Sequence, residues 1–143
     1  HANENLSKGL DAYQARKYDE ALKYFRQATD DGNAEAPFRL GAMYFNGHGV
    51  SQDRDEAARW FREAAVRGNR EAQYILGVIY WDGRGVPTNH VLSYMWFNIA
   101  SSNGSESAVA SGGRIAASLS SPDIAEAERR ARVCLESDYK DCD

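Results

Sequence analysis

The heptapeptides "YFNGHGV" (44–50) and "YWDGRGV" (80–86) stand 36 residues apart in a chain of 143. A fixed period of this length constrains a fold more than any local motif, because each copy must be one structural unit stacked on the next. Aligning 34–69 with 70–105 pairs Ala36 with Ala72, Leu40 with Leu76, Gly41 with Gly77 and Tyr44 with Tyr80 without a gap. The register continues through both turn glycines, Val50/Val86, Trp60/Trp96, Phe61/Phe97, Ala64/Ala100 and Gly68/Gly104.

The pattern extends in both directions and weakens as it goes. Tyr24-Phe25, Ala28 and Gly32 stand 36 residues before Trp60-Phe61, Ala64 and Gly68, with a loop shorter by four residues between Gly9 and Ala21. Downstream, Ala108 and Gly113 keep the register of Ala72 and Gly77, but the aromatic positions become Ala and Ser. The spacing therefore predicts repeat 1 over about 5–33, repeat 2 over 34–69, repeat 3 over 70–105 and a degenerate repeat or cap over 106–143, as terminal repeats require.

Each unit reads as two helices. In repeat 2 the first runs from Glu35 to Phe45 with apolar residues at helical spacing, and Asn46-Gly47 stops it. The second begins near Asp53–Asp55, where acids occupy the first turn, and ends before Gly68. A helical pair cannot bury its own apolar face, whereas stacked pairs can.

The pattern A-x-x-x-L-G-x-x-Y-x-x-G-x-G-V, then A-x-x-W-F-x-x-A-A-x-x-G, resembles the Sel1-like repeat, a relative of the tetratricopeptide repeat with a longer inter-helix loop. "GLDAYQARKYDEALKYFRQA" is more similar to a tetratricopeptide repeat, and "SSPDIAEAERRARVC" resembles the helix that closes many Sel1-like arrays. The resemblance implies an all-α, right-handed α/α superhelical solenoid. It also implies a non-catalytic scaffold or adaptor for a peptide or protein partner, in a family with several bacterial envelope members. Repeat 3 departs from the pattern, with Ser93 and Tyr94 replacing Ala57 and Ala58 and no acids in "VPTNHVLSYMW". Tyr94 and Met95 are therefore expected to pack on the cap helix, and homo-oligomerisation through this apolar helix is an alternative.

Composition excludes several classes. With 43% hydrophobic and 27% charged residues, a formal charge of −4 and a pI near 5.4, the chain lacks the basic balance of a nucleic-acid binder. No apolar run approaches the roughly 18 residues that read as a membrane span. "HANENL" has neither the charged nor the apolar region of a targeting signal, so such a signal is cleaved or never existed. His1 reads as a processed or tag-derived start, since copper binding would need His48 and His90 to converge from loops.

Catalytic and cofactor signals are sparse. Both G-x-G elements lack the third glycine of a dinucleotide fingerprint and the Lys-Ser/Thr of a phosphate loop. No histidine or cysteine cluster has metal-ligand spacing, so neither metal nor cofactor is expected. Ser137-Asp138-Tyr139-Lys140 matches S-x-x-K without its companion motifs. Because some Sel1-like proteins are linked with β-lactams, a β-lactam-recognising or hydrolysing enzyme is the alternative to the scaffold.

Cys134 and Cys142 are too few for a disulfide framework. Eight residues of continuous helix would hold them about 12 Å apart, so pairing requires the helix to end between them. A bridge points to a bacterial periplasm or a secreted protein, and two reduced thiols to a cytoplasmic one. By the tetratricopeptide register the first helices line the concave face. The candidate partner-binding residues there are Tyr13 and Gln14; Glu35, Phe38, Phe45 and Asn46; and Glu71, Tyr74, Trp81 and Asp82. Tyr13, Phe45 and Trp81 share one register position and are expected to form an aromatic ladder, with the acids selecting basic side chains.

Overall fold

The computed structural model describes residues 2–143, so His1 lies outside the described residues. Among those residues there are eight α-helices and no strand: α1 (Ala2–Gln14), α2 (Tyr18–Asp30), α3 (Ala36–Asn46), α4 (Arg54–Val66), α5 (Arg70–Asp82), α6 (His90–Ser102), α7 (Glu106–Ala116) and α8 (Ser121–Glu136). Helices α1/α2, α3/α4 and α5/α6 form antiparallel-type pairs, and each second helix also packs on the next unit's first helix. The architecture is an α/α solenoid.

Within each pair, one contact recurs. A Cβ placed on Gly41 would stand 2.7 Å from the ring of Phe61, on Gly77 2.5 Å from Phe97, and on Gly9 2.6 Å from Phe25. The bare backbone of the first helix is thus the seat for a ring from the second, and all three rings are buried. Leu40 and Leu76 on the neighbouring register position are also fully buried.

The repeated loops are built alike. Gly47 and Gly83 end α3 and α5 in the left-handed conformation, both with φ of 73°, a place where side chains carry a penalty. The N–H of Asp53 then donates to Tyr44 O and that of Asn89 to Tyr80 O, both at 2.9 Å. Asp53 and Asn89 next cap α4 and α6 by accepting from the N–H three residues on. The second glycine of each loop serves the junction between units. A Cβ on Gly49 would stand 2.8 Å from Tyr18 Cβ, and one on Gly85 would strike the Arg54 backbone. Tyr18 and Arg54 open the second helices of the preceding units.

Two of the sequence expectations change. The first helix of repeat 2 begins at Ala36, with Glu35 as its N-cap. Tyr44, Trp60 and Tyr80, whose recurrence in register marks them as repeat-core positions, are half-buried and pack against the core from its margin. The fourth unit is no pair: α7 packs on α6, and α8 packs on α6 rather than on α7. Ala127, Ala131 and Cys134 of α8 join Met95, Trp96 and Ile99 in the main core, which accounts for the apolar second helix of repeat 3. Met95 is fully buried, Tyr94 half-buried, and the Ser93 hydroxyl donates to Gly77 O at 2.5 Å.

Turns between units repeat as closely as the loops within them. Buried alanines eight residues apart flank each: Ala28 and Ala36, Ala64 and Ala72, Ala100 and Ala108. The intervening turn closes with Asn33 N donating to Ala28 O, Asn69 N to Ala64 O and Ser105 N to Ala100 O. After α8 the same turn recurs, with Tyr139 N donating to Cys134 O at 2.8 Å. Here Tyr139 has φ of 65° where Asn69 has −70° and Ser105 −76°, so the chain does not continue into a helix. Cys142 comes back onto Cys134, their Cα atoms are 4.3 Å apart, and the two are joined as a disulfide. The tail is further held by Asn103 donating to Tyr139 Oη at 3.0 Å and by an ion pair between Arg62 and Asp143.

Three outcomes are expected. Gly77→Ala removes the seat of Phe97, and the overpacking exceeds the gain in helix propensity, leaving a net loss of about 1–2 kcal/mol readable in a thermal melt. Cys142→Ser opens the tail and destabilises the chain by about 2–3 kcal/mol in denaturant titration under oxidising conditions, and has no such effect in reductant. Glu126 accepts hydrogen bonds from Arg129 and Arg130, which lower its pKa from 4.5 to about 2. A depressed carboxylate stabilises the fold above its unfolded pKa and loses that effect as pH falls toward 2, so side-chain carbon chemical shifts of Glu126 should titrate in that acid window while Glu126→Gln lacks the step.

Candidate first-helix binding face

On an α-helix, residues at i, i+3, i+7 and i+10 share one side. Glu35 at the N-cap with Phe38, Ala42 and Phe45 on α3, and Glu71, Tyr74, Val78 and Trp81 on α5, form such stripes in equal register. The fold therefore brings the ten expected residues onto one helix layer but separates them into two groups, one at each end of the helices.

At the N-terminal ends, Glu35, Phe38, Glu71 and Tyr74 come together. Phe38, Arg70, Glu71, Tyr74 and Glu106 line an open cleft of about 520 Å3. A second cleft of about 590 Å3 shares Arg70 and Glu71 and continues past Glu35 and Asn33 to Leu6 and Asn3. The two aromatic side chains in this region stand on the core. Phe38 tilts against Phe61 at 5.8 Å between ring centroids, and Tyr74 against Phe97 at 5.7 Å. One edge of each ring is thereby fixed and the other faces the cleft, a rigid arrangement with little side-chain entropy left to lose on binding. Glu35 is engaged by the Arg39 guanidinium at 2.8 and 3.0 Å. Glu71 is exposed and makes no ion pair among the described residues, and Arg70 donates to Asn103 O.

At the C-terminal ends, the expected ladder is absent. Among the described residues Tyr13, Phe45 and Trp81 do not stack on one another; each is clamped by a side chain from a loop or a second helix. Tyr13 Oη lies 2.8 Å from His48 Nδ1, and the His48 ring stacks on Tyr18 at 4.8 Å. The Arg54 guanidinium covers Phe45 at 5.3 Å, and His90 stacks on Trp81 at 3.9 Å. Arg54 and His90 occupy the same position in successive repeats, so these two clamps are one device with different chemistry. Asp82 pairs with Arg84 at 3.5 Å, while Gln14 and Asn46 are exposed. Sequence reasoning missed Arg54, His90, His48, Arg70 and Glu106. The 36-residue period could have found the Arg54/His90 pair, but nothing local indicates that Glu106 reaches the cleft of α5.

No group of three or more His, Cys, Asp or Glu converges on a metal position among the described residues. Ser137 donates to Cys134 O at 3.0 Å and accepts from Asp141 N at 2.9 Å, so its hydroxyl closes the turn that follows α8. Among the described residues, no helix is long and apolar enough to cross a membrane.

Stacked helical pairs with an open first-helix layer define a repeat scaffold of the α/α solenoid class. The profile of the Sel1 repeat matches residues 4–33, 34–69 and 70–105, and the chain belongs to the Sel1 repeat family. Repeats of this family are commonly protein-interaction modules, and the proteins that carry them are generally non-catalytic scaffolds. Among solved structures, c5321, described as a protective antigen of uropathogenic Escherichia coli strains with an SLR fold, is 28% identical with a TM-score of 0.88 over 97% of this chain. The chain spans 32% of that protein's length. A Sel1 repeat protein from Oxalobacter formigenes is 31% identical over 79% of this chain and 88% of its own, with a TM-score of 0.73. Cysteine rich protein B of Helicobacter pylori shares the fold at 21% identity and a TM-score of 0.64, over 76% of this chain and 92% of its own. Comparison with curated proteins returns no match.

Proposed function

We propose that the chain is a non-catalytic adaptor that binds an extended or helical peptide segment of another protein along the concave, first-helix layer, centred on the N-terminal ends of α3 and α5. The observation that carries this reading is the pair of adjoining clefts that meet at Arg70 and Glu71, with Phe38 and Tyr74 standing on core rings in the first of them. Half-buried, pre-oriented aromatic rings beside an unpaired carboxylate suit a peptide that presents an apolar side chain next to a basic one. Glu35 and Asp82, already engaged by arginines, contribute less to charge selection than Glu71. The C-terminal group Tyr13, Gln14, Phe45, Asn46, Trp81 and Asp82 forms the far rim of the same layer. The disulfide supports an oxidising compartment, periplasmic or secreted.

The test is photo-crosslinking from a benzoylphenylalanine at position 74, compared with one at Arg129 on α8, followed by affinity measurement with the captured protein. The folded double variant Glu71→Lys with Tyr74→Ala should bind about tenfold or more weakly, as expected for a central interface cluster. Unchanged affinity would overturn the reading. Penicillin should leave Ser137 unlabelled; covalent labelling there would replace the adaptor with an enzyme.

A further inference from the structure

Helix α7 is a first helix without a second helix on it. In α3 and α5 the glycines turned toward the unit's own second helix are Gly41 and Gly77, with Pro37 and Gln73 one turn before them, all buried; the Gln73 amide donates to Ala65 O of α4 and accepts from Asn103 after α6. The register places Val109 and Gly113 at these positions in α7. Val109 is 59% exposed, and a Cβ on Gly113 would meet no atom within 4 Å. The cause is the path of α8, which packs on α6 and is anchored through its tail to Asn103 and Arg62. The neighbouring Gly112 is in use, since its Cβ position is 3.6 Å from Phe97 and 3.8 Å from Tyr94.

Gly113 therefore has no close approach to serve among the described residues, although a glycine inside a helix costs about 1 kcal/mol relative to alanine. The same chain shows what such a glycine receives. Gly9, Gly41 and Gly77 seat Phe25, Phe61 and Phe97, each from a helix that reads aromatic-Phe-x-x-Ala. We propose that the Val109–Gly113 face of α7 is a docking slot for one amphipathic helix of a partner protein, which lays a phenylalanine on Gly113 as α4 lays Phe61 on Gly41. A second copy of this chain does not fit the slot without opening itself, because Phe25, Phe61 and Phe97 are all buried within their own pairs. The exposed side of α8, with Glu128, Arg129 and Arg132, carries no aromatic residue to offer. The slot continues the helix row begun by the three intact pairs, and it does not rest on the first-helix groove described above.

The probe is a fluorescent peptide with the sequence of residues 53–69, stapled between positions 59 and 63 because an isolated helix of this length is marginal in water. Anisotropy should show saturable binding to the full chain. Phe61→Ala in the peptide, or Gly113→Leu in the protein, should each weaken it more than about tenfold, since the ring or its seat is lost. Gly113→Leu alters an exposed position, and a retained helical spectrum and melting temperature establish that the variant folds. Absence of saturation into the millimolar range, or equal binding by the variant, overturns the slot. Self-association of the wild-type chain that Gly113→Leu abolishes also overturns it, by making a second copy the occupant.

Discussion

A phenylalanine ring resting on the bare backbone of a glycine is the contact on which the rest of the structure depends. It occurs at Phe25, Phe61 and Phe97, and it sets how closely two helices of a pair approach. Repeat 1 keeps the contact with a loop four residues shorter, whereas repeats 2 and 3 share one loop length. In those two the second glycine of the loop falls on the preceding unit, so the loop of one pair also sets its distance from the next. Local rules propagate along the array because each unit touches only its neighbours.

The binding layer inherits this order. Phe38 and Tyr74 are placed by Phe61 and Phe97, so the rings that face the clefts are positioned by the same rings that hold the pairs together. Surface variation is concentrated where the scaffold is indifferent to it. Arg54 and His90 cover equivalent aromatic residues with different chemistry, and His48 and Arg84 replace one another between turn glycines that do not change.

Much of this was legible in the sequence because it is periodic. Gly41/Gly77, Phe61/Phe97 and the caps Asp53/Asn89 announce themselves by recurrence, and helix ends followed from glycines with a physical task. Cys134 and Cys142 were readable as a pair only on the condition that the helix stop between them, which it does at Glu136. The packing of Met95 on the closing helix was anticipated from the apolar α6; what escaped was that α8 turns away from α7. Its apolar positions, Ala127 and Ala131, are too small to specify a partner helix, and a short connection after Ala117 is compatible with either neighbour. The three aromatic residues make a related point: register shows that Tyr13, Phe45 and Trp81 are equivalent, but not that His48, Arg54 and His90 cover them.

The recurrence of an eight-residue interval at every turn gives the disulfide a particular meaning. Three joints of the array have a buried alanine at each of the two places and are closed by a backbone hydrogen bond. The joint after α8 has cysteines in the same two places. Thiol reductants therefore act on that joint alone: they free the return of the chain onto α8 and leave the three alanine joints as they are.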